Sequence, residues 1–430
     1  MLYRVLADYL ETFIERAEQD PSGSGLPGFV KRELRAFLRC GILSYGFARL
    51  WCRICREDTL VAFSCKGAFC PSCGARRMAE CAAHLVDSVI PHVPVRQWVL
   101  TLPFALRFRA AYDKRVCRLI RRVFMRQVLS HLRQQARQQG LTDPETGAVC
   151  FLQRFGGALN ANTHYHALLL HGVFTRDPET KAWHFHALAT PSEAETARLL
   201  EKIRNKILGT LRRCGLLPSE DALDEALAPE APLFAACQAA SVSGIIALGP
   251  KAGSRVARRG YDPLLARLPR VTAGAATLEG FTLHNGVRIA GRERGRLERL
   301  IRYMCRPPLA NERLSMSDDG RVCLELRRPF SDGTTHVLFA PLAFIEKLAA
   351  LIPPPYFNHL TYHGVLAPNA PDRAAIVPHT PPRPQRSCPV EDRVSSCSLA
   401  AQHRGYRWAE LLKRVYGFEV LDCPRCHSAP

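Results

Sequence analysis

Residues 161–172 read ANTHYHALLLHG. The stretch decides the fold because two histidines, His164 and His166, stand at the mouth of an apolar run. Side chains at i and i+2 of a β-strand face the same way. His164 and His166 therefore project together, about 6.6 Å apart along the backbone, while Tyr165 points to the opposite face. Two imidazoles so placed suit a shared divalent cation. Histidine pairs also occur on ordinary solvated strands, so the pattern takes its meaning from the rest of the chain.

Just upstream, GAVCFLQRFGGALN (147–160) reads as a second strand. The link between the two is short and polar, which predicts an antiparallel hairpin. RQWVLTLPF (96–104) reads as a buried strand, and VCLELRRPFSDGTTHVLFAP (322–341) as a hairpin with Asp332 and Gly333 in its turn. Residues 105–140 place apolar side chains at Val116, Ile120, Val123, Val128 and Leu132, which predicts one long helix with a basic face. GRERGRLERLIRYMCRPP (291–308) predicts a helix that Pro307 and Pro308 must end. The predicted fold is α+β, an antiparallel sheet flanked by helices with a small N-terminal zinc-knuckle domain. Its expected divisions are a helical segment at 1–39, the zinc-binding domain at 40–95, and a catalytic domain at 96–350 with an insertion at about 192–280. A proline-rich C-terminal region at 351–430 ends in CPRC.

Charge narrows the function. The 430 residues carry 59 Lys+Arg against 39 Asp+Glu, a formal net of +20. Such an excess favours polyanions, nucleic acid first. No apolar run approaches the roughly 18–20 residues of a membrane-spanning helix, and the N-terminus lacks the basic start and apolar core of a secretion signal. A cytosolic protein with no membrane partner is expected. In a reducing compartment the 17 cysteines point to metal sites rather than disulfides.

Three constellations carry chemistry. Cys52-x-x-Cys55 and Cys70-x-x-Cys73 have the spacing of two knuckles that hold a tetrahedral structural Zn²⁺. Cys65 and Cys40 are further thiols nearby, so Cys65 stands as an alternative ligand. Zinc would replace a core that roughly 40 residues could hardly build alone. Arg76 and Arg77 flank the knuckles and are candidate DNA contacts. Tyr303 lies four, seven and eleven residues after Arg299, Arg296 and Arg292, which helical counting puts on one face. Guanidinium forks suit phosphate oxygens. A phenol, with pKa ~10, needs cations nearby to become a nucleophile. His164, His166 and a third ligand, for which Gln153 on the pairing strand is the candidate, would hold Mg²⁺ or Mn²⁺ against a scissile phosphate. Attack by Tyr303 would then leave a 5′-phosphotyrosine bond and a free 3′-OH.

With these motifs in place, the chain resembles the rolling-circle insertion-sequence transposases of the insertion-sequence-ninety-one type. The stretches LVAFSCKGAFCPSCGARRMAECAAHLVD, VPVRQWVLTLP, FLQRFGGALNANTHYHALLLHGVF, LERLIRYMCRPPLANERL, RPFSDGTTHVLFAPLAFI, LTYHGVLAPNAP and the terminal CPRC carry the resemblance over about 45–426. It implies a zinc-binding domain before a histidine–hydrophobe–histidine nuclease. It also implies DNA strand cleavage by tyrosine, transfer of single-stranded element ends, and work at the bacterial nucleoid. His164 and His166 match the metal-binding pair and Tyr303 the nucleophile. Members with two tyrosines space them four apart. Here Arg299 and Pro307 occupy those positions, so the resemblance is to a single-tyrosine member. Two other readings stay open: a zinc-dependent DNA-binding regulator without catalysis, and a plasmid replication initiator or relaxase with the same nicking chemistry.

Overall fold

A computed structural model describes residues 1–21, 24–217, 231–265, 275–378, 410–411, 413–414 and 425–426. Most of the acidic stretch at 216–235, most of the proline-rich stretch at 367–400, and Cys423 lie outside the described residues.

The order of elements begins with α1 (Leu2–Glu18), α2 (Gly28–Phe37), β1 (Phe47–Trp51), β2 (Asp58–Ala62), α3 (Pro71–Ser88) and β3 (Val95–Thr101). It continues with α4 (Phe104–Tyr112), α5 (Lys114–Gln138), β4 (Gly147–Phe155), β5 (Ala161–Leu170), β6 (Gly172–Arg176), β7 (Trp183–Ala187), α6 (Glu193–Arg213) and α7 (Pro232–Ser243). Then come β8 (Ala257–Arg259), β9 (Ala275–Leu278), β10 (Phe281–Ile289), α8 (Arg294–Cys305), β11 (Leu314–Met316), β12 (Val322–Glu325), β13 (His336–Phe339), α9 (Pro341–Leu351), β14 (Leu360–Gly364) and α10 (Arg373–Ile376).

The central sheet has the order β14-β4-β5-β3-β10-β9, antiparallel throughout. The expected β4–β5 hairpin is present, with Gln153 opposite His164 and Leu152 opposite Tyr165. Both faces of the sheet carry helices, so most of β4 and β5 is apolar without interruption. On one face, Tyr165, Ala167, Leu169, Trp98 and Leu100 pack under α4, α5 and α6. The buried Tyr165 hydroxyl donates to the carbonyl of Cys117 at 3.0 Å, which satisfies its polar tip. On the other face, Val149, Phe151, Leu168 and Leu170 pack against Leu85 and Val86 of α3 and Leu297, Ile301 and Met304 of α8.

The long helix expected at 105–140 is two helices. Asp113 breaks it with an extended backbone (φ −95°, ψ 101°), and its carboxylate caps α5 by accepting from the N–H of Arg115 at 2.7 Å. An aspartate satisfies the orphan donors of a helix start better than it sits inside a helix. The segment expected as an insertion at 192–280 contributes to the core: Leu199, Leu200, Ile203 and Ile207 of α6 are buried beside α5, and β9 pairs with β10. The hairpin of β12 and β13 forms as expected, with Gly333 at φ 79° in its connecting loop. A smaller sheet, β11-β12-β13-β8, shares a second core with α1, α2 and α9.

α3 and α8 run against each other, tied at both ends. At one end Arg294 donates to the carbonyls of Val86, Ile90 and Pro91, the last two at 2.9 and 3.2 Å. These are orphan acceptors at and beyond the end of α3. At the other end Gly74 lies so near the turn after α8 that a Cβ there would meet Pro307 Cβ at 2.6 Å. Gly74→Ala should therefore push the turn away and destabilise the protein by about 1–3 kcal/mol, the range for overpacking a close contact. Thermal unfolding measures this; an unchanged midpoint would show that the contact yields freely.

Candidate active cleft and cysteine clusters

His164 and His166 leave the sheet on the face shared with α3 and α8, at the end of β5 that the helices do not cover. Their rings lie 4.8 Å apart. Tyr303, in the last turn of α8 and 44% exposed, brings its ring edge-on to His166 at 6.0 Å. The three side chains line one open cleft. Its walls are the start of α3, the open end of β3 and β5, and the loops that follow α8 and β12.

Gln153 fixes this geometry. It sits opposite His164 in the register, hence on the same face. Its amide nitrogen donates to the carbonyls of Tyr303 at 3.1 Å and Met304 at 2.8 Å. The last turn of α8 has carbonyls with no intrahelical partner, and Gln153 supplies one from β4, the strand paired with that of the histidines. Gln153 Oε1 is buried and has no hydrogen-bond partner among the described residues, as does His166 Nε2. His164 Nδ1–H donates to the carbonyl of Asn162 at 2.7 Å, so its Nε2 carries the lone pair. His166 Nδ1 lies 2.9 Å from the Gln97 side-chain amide. The atom there is Gln97 Nε2, which can only donate, so His166 Nδ1 accepts and the ring's proton sits on Nε2. Burial depresses the pKa of His164 to about 4, and the nearby Arg306 and Arg107 add to the effect. Burial first, then His164 and Arg306, holds His166 well below the ordinary imidazole value. Both rings are neutral at pH 7, the state in which an imidazole can bind a metal.

The cations of the cleft are not those chosen by helical counting. α8 begins at Arg294, so Arg292 precedes the helix. Arg296 pairs with Glu293 at 3.3 Å and Arg299 is exposed. None of the three lines the cleft; Leu300 does. Its guanidiniums come from Arg306, Arg313, Arg327 and Arg328. Arg306 lies over the Tyr303 ring, 4.5 Å from its centroid. Arg77 braces the cysteine loop through the carbonyls of Lys66 (2.8 Å) and Gly67 (2.7 Å), whereas Arg76 is exposed. The basic face of α5 lies across the sheet from the cleft, where Arg118, Arg122 and Arg126 line a separate groove beside β14. His284 of β10 lines the cleft too. It stands opposite Val99, which stands opposite His166, a relation visible only in the sheet register.

The four cysteines of the two knuckles do not meet, and this corrects the expected set. Cys70 and Cys73 join Cys40 and Cys65, while Cys52 and Cys55 lie with Cys426. In the first cluster the sulfurs of Cys40 and Cys70 are 3.8 Å apart; Cys40–Cys73 and Cys65–Cys73 are each 3.7 Å. Four sulfurs about 2.3 Å from one zinc stand ~3.8 Å from each other. Cys65, Cys70 and Cys40 hydrogen-bond to Cys73 and hold it well below the ordinary thiol range. Backbone N–H groups of Cys65 and Gly67 donate to the sulfurs of Cys40 and Cys65. The β1–β2 hairpin, which separates Cys40 from Cys65 in sequence, carries Cys52 and Cys55 away. That is why C-x-x-C spacing alone misassigned the quartet.

The sheet thus places paired histidines and a tyrosine in a basic cleft, beside a four-thiol cluster. Residues 5–102 match the family model of a transposase zinc-binding domain, and residues 147–374, more than half the chain, match the one described as "Putative transposase". The chain belongs to this family of transposases, of the insertion-sequence-ninety-one type. No curated protein and no solved structure matches it. Among the described residues no helix is long and apolar enough to cross a membrane.

Two outcomes follow from this chemistry. Cys40→Ser should lower the zinc content of the purified protein by about one ion per chain, as measured by elemental analysis; full retention would exclude Cys40 as a ligand. Burial also depresses His171, His359 and His363 to about 4, as it does His164. The unfolded chain takes up these protons near pH 6.5, the folded chain only near 4. Stability should thus rise with pH across that window and be lost as pH falls from about 6.5 toward 4. The thermal midpoint should drop between pH 7 and pH 5; a flat profile would contradict the burial of these rings.

Proposed function

We propose that this transposase nicks and rejoins single DNA strands through a 5′-phosphotyrosine bond at Tyr303, in rolling-circle transposition of an insertion sequence. The observation that carries the reading is the approach of Tyr303 to His166 at 6.0 Å, in a cleft edged by arginines. Residues that fit a divalent cation are present: the neutral His164, whose Nε2 carries a free lone pair, the neutral His166 beside it, whose Nε2 is buried without a partner and would bind once the Gln97 amide turned its oxygen to Nδ1, and the unpartnered oxygen of Gln153. We assign His164, His166 and Gln153 to Mg²⁺ or Mn²⁺, which when bound polarises the phosphoryl oxygen.

The protein's own residues carry the rest. Tyr303 Oη attacks the scissile phosphorus; the new O–P bond replaces the bond to the 3′ oxygen. The phenolic proton leaves to the water that reaches the exposed ring, and the 3′ oxygen takes a proton to become a free hydroxyl. Arg306 is placed to balance charge that develops on the phenol and phosphate. Gln153 holds the last turn of α8, so the nucleophile keeps its aim. The free 3′-OH can later reverse the step, because the phosphotyrosine conserves the bond energy. Arg313, Arg327 and Arg328 suit the backbone of a single-stranded element end. In this reading residues 96–350 form the nuclease, 40–95 its zinc-binding domain, 1–39 a helical flank, and 351–430 a C-terminal region.

Tyr303→Phe removes one oxygen and should leave folding, zinc content and DNA binding intact. Incubated with single-stranded element ends and Mn²⁺, the native protein should give a covalent protein–DNA band that Tyr303→Phe lacks. His164→Ala and His166→Ala should bind DNA but cut at least ~100-fold more slowly, the scale of losing one centre of transition-state charge stabilisation. Mass spectrometry of the linked peptide decides the nucleophile: an adduct at Tyr261 or Tyr362 would overturn the assignment to Tyr303.

A further inference from the structure

The second sulfur cluster is not accounted for by the first zinc. We propose that Cys52, Cys55 and Cys426 bind a second zinc ion, which pins the C-terminal end of the chain to the β1–β2 hairpin. The ligand atoms of these three cysteines lie within 4.8 Å of one another. Cys52 Sγ and Cys426 Sγ are 3.7 Å apart, the same separation as in the first cluster. That matches the ~3.8 Å edge of a zinc–thiolate tetrahedron and is far from the ~2.05 Å of a disulfide. Thiolate ligands without oxygen donors select zinc over Mg²⁺ or Mn²⁺.

The backbone around Cys52 is built like that around Cys65. The N–H of Cys55 donates to Cys52 Sγ at 3.5 Å, as the N–H of Gly67 donates to Cys65 Sγ at 3.3 Å. Arg56, just after Cys55, has φ 58°; Lys66, just after Cys65, has φ 55°. A non-glycine residue in the left-handed region is uncommon; at Lys66 it precedes the Gly67 N–H that faces sulfur, and at Arg56 it follows the Cys55 donor and helps to close the turn. Such donors stabilise a thiolate rather than a neutral thiol. The hairpin closes the loop further, with Cys52 N–H to the Glu57 carbonyl and Arg56 N–H to the Cys52 carbonyl, both at 2.9 Å.

Further contacts hold the same end of the chain. Arg425 pairs with Glu57 at 2.7 Å. Earlier in the segment, Leu411 is buried, and Arg414 reaches Asp87 of α3 at 2.5 Å and Glu298 of α8 at 2.8 Å. Among the described residues near the C-terminus, Arg414 thus touches the α3–α8 pair, and Arg425 and Cys426 touch the β1–β2 hairpin. Exposed ion pairs contribute little by themselves; a zinc site at Cys426 would hold this end of the chain more firmly. This inference does not depend on the nicking chemistry.

The test uses the full chain. Elemental analysis of Cys426→Ser should show one zinc fewer per chain than the native protein, while Cys40→Ser, which strikes the first cluster, also loses one. In the native protein Cys52 and Cys426 should resist alkylation by iodoacetamide and become reactive when a chelator strips the zinc, read by peptide mass spectrometry. This second measurement needs no variant to fold. Equal zinc content in Cys426→Ser and native protein, or equal alkylation of Cys52 and Cys426 with and without chelator, would overturn the proposal.

Discussion

The pairing register of β4, β5 and β3 is the constraint on which the cleft depends. It sets Gln153 opposite His164, and Val99 between His166 and His284. A slip of one residue would exchange faces along a whole strand. Tyr165 would then lose its partner at Cys117, and both imidazoles would enter the apolar layer beneath α5. The cost of burying unpaired polar rings there makes the register self-enforcing. On the correct face the same rings meet a cleft instead of a core.

The tyrosine helix inherits its place from that register. Gln153 gives up its amide hydrogens to the end of α8, so the helix stops where the histidines begin. Pro307 ends the helix and packs on Gly74, and Arg294 holds the helix start against the end of α3. The cysteine cluster enters this chain of dependence, because Cys70 is the N-cap of α3 and Cys73 lies in its first turn. The thiols that fix the beginning of α3 therefore fix one wall of the cleft. In that sense the zinc-binding domain is part of the site's frame, although its sulfurs are structural.

Different physics explains what was legible and what was not. The alternation in ANTHYHALLLHG and the apolar strands around it encode a sheet by period alone, and the Asp-Gly turn and the double proline mark local ends. The break at Asp113 was readable as a cap, but a basic, apolar-periodic run on both sides concealed it. Arg306 was in view in the RPP turn, yet its place over Tyr303 depends on how the turn folds back. Arg313 comes from a single 3-10 turn and Arg327 and Arg328 from a loop, whose positions no periodicity fixes. Arg292 was misplaced because helical counting assumed a helix that had not yet begun.

By itself, the sequence determined the α+β class, the histidine strand, the tyrosine helix with its stop, and a protein rich in metal-binding thiols and positive charge. These follow from local pattern, since side-chain period, turn residues and ligand type act over a few neighbours. Tertiary structure alone decided which cysteines share a cluster, which arginines edge the cleft, and how closely Tyr303 approaches His166. Those are long-range facts. The β1–β2 hairpin lies between Cys40 and Cys65, most of the chain lies between Cys52 and Cys426, and more than a hundred residues separate the histidines from the tyrosine. Only the packed register of the sheet and the clamped pair of α3 and α8 bring such distant groups within bonding reach.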